Sequence, residues 1–336
     1  MKTYAVIAVI LLLTMLFVPL FSILGEDVQR TAAVPYASEE QSTAENTAHT
    51  EENESEKDDI SSPDEQTVRV LRTSSGNVES VDMKNYIIGC VASEMLPSYE
   101  KEALKAQAVV SYTYALYLLG EPYSDTADIT DNSSVHQAYK SRKEIKEKWG
   151  DKYEEGIKNV EEAVSEVEGQ FITYEGKIIK PAYHAMSSGR TNSAFDVWGK
   201  DIPYLQSVTS DGDRLSPKFV STYDFTESEM IKNLSSCTDE TISEIKIGDA
   251  VRNSGGYVKS IEISGVSFSG ETLRNAFSLR SGAFTLSQEG EVFTFTCEGY
   301  GHGVGMSQNG AQYMAKNGST YKEIIEHYYT GAEIKS

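Results

Sequence analysis

The chain has 336 residues, with 51 acidic against 30 basic side chains and a formal net charge of −21. A body this acidic argues against a nucleic-acid partner and leaves neutral glycans open. The five histidines, at 49, 136, 184, 302 and 327, are scattered, and none has a Cys or His partner at zinc-ligand spacing, so no catalytic metal or other cofactor is expected.

Tyr4 to Leu24 carries no charged residue and is long enough to cross a bilayer as one helix. Lys2 precedes it, and Glu26 and Asp27 follow, which predicts a cytoplasmic amino terminus and an external body. No small-x-small pair marks a signal-peptidase site near Ser22 to Gly25, so an uncleaved anchor over residues 1–25 is expected. Residues 26–66 read as an acidic, disordered tether. Thirteen acidic and two basic side chains lie between Glu26 and Glu65, with few large apolar residues to offset the entropy of ordering. Residues 67–336 then form the folded domain, without a repeat or an internal linker.

Within that domain, Val68 to Arg72 alternates like a strand, and Asp82 is placed to cap a helix that carries Ile87, Val91 and Glu94 at helical spacing. A glutamate on this apolar stripe faces the core or a cleft. Desolvation there disfavours its charge and lifts its pKa toward the range of a general acid. The plain alternative is a glutamate that skirts the apolar face and pairs with a lysine. Pro97 and Ser98 end this helix and start another, with Glu100 and Glu102 in its first turn and Leu104, Ala108, Ser111, Ala115 and Leu118 as its buried stripe. Lys105 and Tyr112 fall on its polar side. A third helix shows Ile157, Val160, Val164 and Val167 in register and stops at Gly169.

Beyond Gly169 the hydrophobic period changes to two. Hairpins are predicted with turns at Glu175–Gly176 and near Glu289–Gly290, with a further strand in YVKSIEISG. Two helices close the chain, Ser307 to Lys316 and Tyr321 to Tyr329. The predicted class is α+β: a helical first half carrying Glu94, packed against mostly antiparallel strands, with carboxy-terminal helices and a preceding membrane span. Cys90 reads as a small buried hydrophobe, and a Cys237–Cys297 disulfide is left open.

Two further segments depart from a merely structural pattern. Ala182 to Gly199 runs from a strand into a polar loop containing Ser187, Ser188 and Arg190. Gly299 to Gly318 carries Gly301, Gly303 and Gly305 directly before a helix whose amides could face a polar ligand. The spacing is not GxGxxG, which excludes a phosphate loop, and no acid completes a triad with His302 and Ser307. His302 reads equally as a structural histidine or a substrate contact.

These segments together resemble the SpoIID/LytB domain family: EMLPSYEKEALKAQAVV, the Ser187–Thr191 loop, FSLRSGAF, GYGHGVGMSQNGA and the terminal HYYTG, spanning nearly all of residues 67–335. The resemblance implies a lytic transglycosylase that cuts peptidoglycan glycan strands during engulfment in sporulation, on strands already stripped of peptide. Glu94 falls on the family's catalytic glutamate, as acid and then base. Lys105, Tyr112, Ser187, Ser188, Arg190, His302 and Gln308 are the expected substrate contacts. Tyr183, Trp198, Tyr204 and Tyr300 are candidates for stacking on sugars. Because the muramyl C6 hydroxyl supplies the nucleophile, no second carboxylate is required, although Asp196, Asp211 or Asp213 could fold nearby. The resemblance further implies an amidase partner like stage II sporulation protein P, a membrane partner like stage II sporulation protein M, and location in the mother-cell membrane facing the septal wall. A muramidase using water and a wall-binding module that stimulates an amidase are the alternatives. The chain departs from the pattern twice. Tyr112 stands where an arginine is usual, with Lys105 or Arg190 as possible substitutes. His136-Gln137-Ala138-Tyr139 lacks the cysteine through which some relatives hold zinc.

Overall fold

The computed structural model describes residues 66–336. The expected anchor and tether lie outside the described residues, and no helix among those residues is long and apolar enough to cross a membrane. The chain opens with strands β1 (Thr67–Leu71) and β2 (Val78–Asp82), an antiparallel pair. The Asp82 side chain accepts from the Asn85 amide at 2.9 Å and so starts helix α1 (Met83–Glu94) as predicted. Helix α2 (Lys101–Gly120) follows the Pro97 break, with Glu100 as its N-cap residue and Glu102 alone in the first turn.

The predicted stripe of α2 is buried, but the burial is wider than a stripe. Ala103, Ala106, Gln107, Val109, Val110 and Tyr114 are enclosed as well. Small side chains on all sides of α2 let neighbours close around it, so period alone understated its depth. Strand β3 (Ile129–Thr130) joins β1 in parallel. Helix α3 (Arg142–Trp149) was not predicted, although Ser141 and Glu144 form a reciprocal capping box at its start. Helix α4 (Tyr153–Glu166) buries Ile157, Val160 and Val164, as their spacing required.

Strands β4 (Phe171–Tyr174) and β5 (Lys177–Ile178) form the expected hairpin. Both turn residues, Glu175 (φ 50°) and Gly176 (φ 76°), are left-handed, as a two-residue hairpin turn demands. Strand β6 (Tyr183–His184) leads through a polar loop to the short helix α5 (Ala194–Trp198). The segment from β7 (Val220–Thr226) to β12 then folds around a hydrophobic cluster of its own. Its elements are α6 (Glu227–Ser235), β8 (Ile247–Arg252), β9 (Val258–Ile263), β10 (Val266–Phe268), α7 (Gly270–Ala276), β11 (Phe284–Glu289) and β12 (Val292–Glu298). The strands pair antiparallel in the orders β11-β12-β7 and β10-β9-β8, over Met230, Leu234, Ile263, Leu273, Phe293 and Phe295.

The chain then returns to the first core through β13 (Met306–Ser307), α8 (Gln308–Lys316), α9 (Tyr321–Tyr328) and β14 (Glu333–Lys335). That core holds α1, α2 and α4 together with Tyr183, Val304, Met306, Ile324 and Tyr328. The α+β class stands. The halves are less segregated than predicted, because the strand-rich segment carries α6 and α7. Cys90, Cys237 and Cys297 are free thiols, so the disulfide left open does not form.

Candidate active site

Three chain segments meet at Glu94, and the parallel pairing of β13 with β6 brings two of them together. Met306 stands opposite Tyr183, and Ser307 opposite His184. Gly305 allows this approach. Its φ is 71°, and a Cβ there would lie 1.9 Å from the Ala182 carbonyl oxygen. Tyr183 at the strand and Gln308 just beyond it therefore face the carboxyl-terminal end of α1, where Glu94 is the last helical residue.

Glu94 is 3% exposed and sits in a ring of donors. Its Oε1 accepts from the Ala138 amide and the Tyr183 hydroxyl, both at 3.1 Å. Its Oε2 accepts only from Gln308 Nε2, at 3.3 Å. Gln308 is itself held by Gln107 Oε1 at 3.3 Å. Burial is the largest influence on the carboxyl and raises its pKa from 4.5 to about 7. The donors at Ala138, Gln308 and Tyr183, and the nearby Lys148 ammonium, oppose that rise without cancelling it. A carboxyl poised near neutrality serves both proton donation and proton recovery. Two donors occupy Oε1 and one occupies Oε2, so Oε2 has the free lone pair that a transferable proton needs.

Among the described residues no lysine pairs directly with Glu94, so the plain alternative of a glutamate skirting the apolar face and paired with a lysine does not describe it. Lys148 is the cation beside it. This residue of α3 donates to the Ser93 carbonyl at 3.4 Å. Sequence reasoning missed it, since the run RKEIKEKW reads as a solvated face. Ala138 was missed too, because a backbone amide leaves no signature in side-chain patterning.

A sequence model of the family described as Stage II sporulation protein matches residues 72–174, which contain α1 through α4. Stage II sporulation protein D of Bacillus amyloliquefaciens is 36% identical over 273 residues, covering 80% of this chain and 78% of that protein. The protein of the same name from Bacillus subtilis (strain 168) is 36% identical over 271 residues, with the same coverage. The chain belongs to the stage II sporulation protein D family. A more distant relative, the amidase enhancer of Bacillus subtilis, is 25% identical over an alignment of 301 positions that covers 74% of this chain and 40% of the enhancer.

Of the substrate contacts that the family likeness implied, Gln308 touches Glu94, and the others are engaged elsewhere. Lys105 pairs with Glu102 at 2.7 Å and Glu166 at 3.3 Å, and lies over the Tyr321 ring at 4.6 Å. Tyr112, where the family likeness implied an arginine, lines a hollow with Met83, Ile87 and Val164. Ile87 precedes Glu94 by roughly 10 Å along the axis of α1, at about 1.5 Å per residue. Ser187 donates through both its amide (2.8 Å) and its hydroxyl (2.6 Å) to Asp213, and Ser188 is tied to the Gly255 carbonyl and Tyr257. The Arg190 guanidinium grips Ser207 at 3.0 and 3.2 Å.

His302 is buried against His184 and Trp198, with ring centroids 5.8 and 5.4 Å apart, and its Nδ1 accepts from the Val304 amide at 3.0 Å. Burial pushes its pKa well down, which keeps the ring neutral. It borders a second hollow with Asn192, Asp196, Asn253, Lys259 and Glu271. Neither hollow is lined by Glu94. Asp196 pairs with Lys259 at 3.3 Å. Of the stacking candidates, Tyr183 is fully enclosed and acts as a hydrogen-bond donor. Trp198 packs on His302, Tyr204 accepts from the Lys180 amide at 3.2 Å, and Tyr300 lies under Arg280. Among the described residues, no three Cys, His, Asp or Glu side chains converge as metal ligands would.

Proposed function

We propose that the chain is a lytic transglycosylase that cleaves the MurNAc–GlcNAc linkage of peptidoglycan glycan strands and leaves 1,6-anhydro-MurNAc ends. The observation that carries this reading is a buried carboxyl, Glu94, with its pKa lifted to about 7 and one oxygen only half occupied. Protonated Glu94 gives its proton to the glycosidic oxygen as the bond from that oxygen to C1 breaks. The muramyl C6 hydroxyl oxygen then bonds to C1, and its proton returns to the Glu94 carboxylate. No water enters and no second base is needed. Asp213, one of the rivals suggested by sequence, is fully buried and engaged by Ser187, Ser307 and Asn309, which suits it poorly to activating water. Because Glu94 is so little exposed, productive binding also requires the rim around it to yield.

In the same reading the protein works during engulfment in sporulation, on strands whose peptides an amidase has removed. It is held in the mother-cell membrane by residues 1–25, beside an amidase and a multi-spanning membrane protein. Family membership supports the sporulation role. The likeness to an amidase enhancer favours a second reading, a wall-binding module that stimulates an amidase without cutting glycan. Digestion of peptide-free strands, with mass spectrometry of the ends, separates the two. Anhydromuramyl ends from wild type and none from Glu94→Gln support the transglycosylase. Reducing ends indicate a hydrolase. No cleavage, with amidase stimulation preserved in Glu94→Gln, supports the module.

A further inference from the structure

The cations packed around α1, α2 and α4 are nearly all neutralised by glutamates. Lys84 meets Glu168 at 2.6 Å, Lys101 meets Glu166 at 2.7 Å, Lys105 meets Glu102 and Glu166, and Arg142 meets Glu161. Lys148 differs. It is half-buried, its only hydrogen bond is to the Ser93 carbonyl at 3.4 Å, and no carboxylate lies within ion-pair distance among the described residues. Burial and the like charge of Lys140 both act against its protonation, while Glu94 favours it. An ammonium that has lost part of its hydration and gained one weak carbonyl acceptor still has two N–H donors to satisfy. An ammonium held at the residue next to the acid is suited to an anion on the substrate, close to the bond that is cut.

We infer that Lys148, backed by Lys140, forms the subsite for the lactyl carboxylate of the muramyl residue whose C1 reacts, and so selects strands that have lost their stem peptides. This rests on the transglycosylase reading. The lactyl group hangs from O3 of the same sugar that carries the reacting C1. It ends in a carboxylate when the peptide is gone and in a neutral amide when the peptide is attached. A cation adjoining Glu94 distinguishes the two by charge alone, because an amide offers no net charge to a partly desolvated ammonium and brings a bulky chain. The two cations that the sequence offered in place of the family arginine are engaged elsewhere, Lys105 by two glutamates and Arg190 by Ser207.

The test uses the full chain and two preparations of peptide-free glycan strands, one with free lactyl carboxylates and one with those carboxylates converted to methylamides. Wild type is expected to cleave the free-acid strands at least about tenfold more efficiently, chiefly through KM. Lys148→Gln erases that ratio, Lys148→Arg keeps it, and Lys140→Gln narrows it. A ratio that Lys148→Gln leaves intact overturns the inference, as does a wild type with no preference. Binding of both strand types to the Glu94→Gln chain, with and without Lys148→Gln, gives a readout that needs no cleavage. If wild type yields no anhydromuramyl ends, the transglycosylase reading falls, while Lys148-dependent preference in binding still identifies the subsite and its absence rejects it.

Discussion

Two buried carboxylates stand on either side of the start of α8, and their surroundings give them different chemistry. Asp213 is held by the Ser187 amide and hydroxyl at 2.8 and 2.6 Å, the Ser307 hydroxyl at 2.8 Å and the Asn309 amide at 3.2 Å. Glu94, reached from the next residue, Gln308, has three contacts at 3.1 to 3.3 Å and an Oε2 with a single donor. Burial pushes both pKa values up, and the donors pull both down. The difference lies in saturation. A carboxylate with both oxygens filled fixes the loops that touch it, here the Ser187 loop and the N-cap of α8. One with an open lone pair is able to exchange a proton.

The largest effect expected from this contrast is catalytic. Glu94→Gln is predicted to lower anhydromuramyl formation by on the order of 10²–10⁴-fold, the range for loss of a general acid and base. A variant that still forms such ends would remove Glu94 from the chemistry. The same pair separates in stability. Asp213→Asn sets an amide donor against donors already present and is expected to cost roughly 2–4 kcal/mol in a denaturant titration at pH 7.

Glu94→Gln is expected to move the other way. Folding raises the Glu94 pKa from 4.5 to about 7, so the native state binds a proton that the unfolded chain releases within that interval. The resulting stabilisation is complete below pH 4.5 and lost as pH rises through 7. Glu94→Gln removes this slope, and above pH 7 it gains up to about 3 kcal/mol relative to wild type. Parallel stability curves for the two proteins from pH 4 to 8 would show that burial does not hold the carboxyl up.

A finer perturbation tests the donors. Tyr183→Phe removes a hydrogen bond that favours the ionised carboxylate, so the alkaline limb of the cleavage profile is expected to shift upward by about one unit. An unmoved limb would detach Tyr183 from proton transfer. The smallest effect belongs to Lys105, whose partners are glutamates and a tyrosine ring. Lys105→Gln is predicted to cost under about 1 kcal/mol and to change cleavage by less than about twofold. A large loss would bring it back to the substrate.

Local patterning made much of this fold legible. Asp82 as a cap, the left-handed turn at Glu175–Gly176 and the spacing of Ile157, Val160 and Val164 act over a few residues, and each shaped its element as predicted. Glu94 was legible for a related reason, since a carboxylate on an apolar stripe is a local contradiction that only burial with donors resolves. Helix α3 was missed despite its Ser141–Glu144 box, because its surface is charged on most sides.

The rest of the site depended on contacts far apart in sequence. Lys105 and Tyr112 share a helix with Gln107, yet only Gln107 reaches the Glu94 cluster, through Gln308. Whether a residue of α2 faces the acid depends on how α2 packs against its neighbours, which periodicity does not encode. The parallel pairing of β6 with β13 selected Tyr183 and Gln308. The packing of α3 brought Lys148 to Ser93, and the fold brought Ser187 to Asp213. Sequence alone thus placed one glutamate on the apolar stripe of a helix. Tertiary structure decided which groups surround it, because proton affinity in a buried site depends on donors and charges a few ångströms away, whatever their distance along the chain.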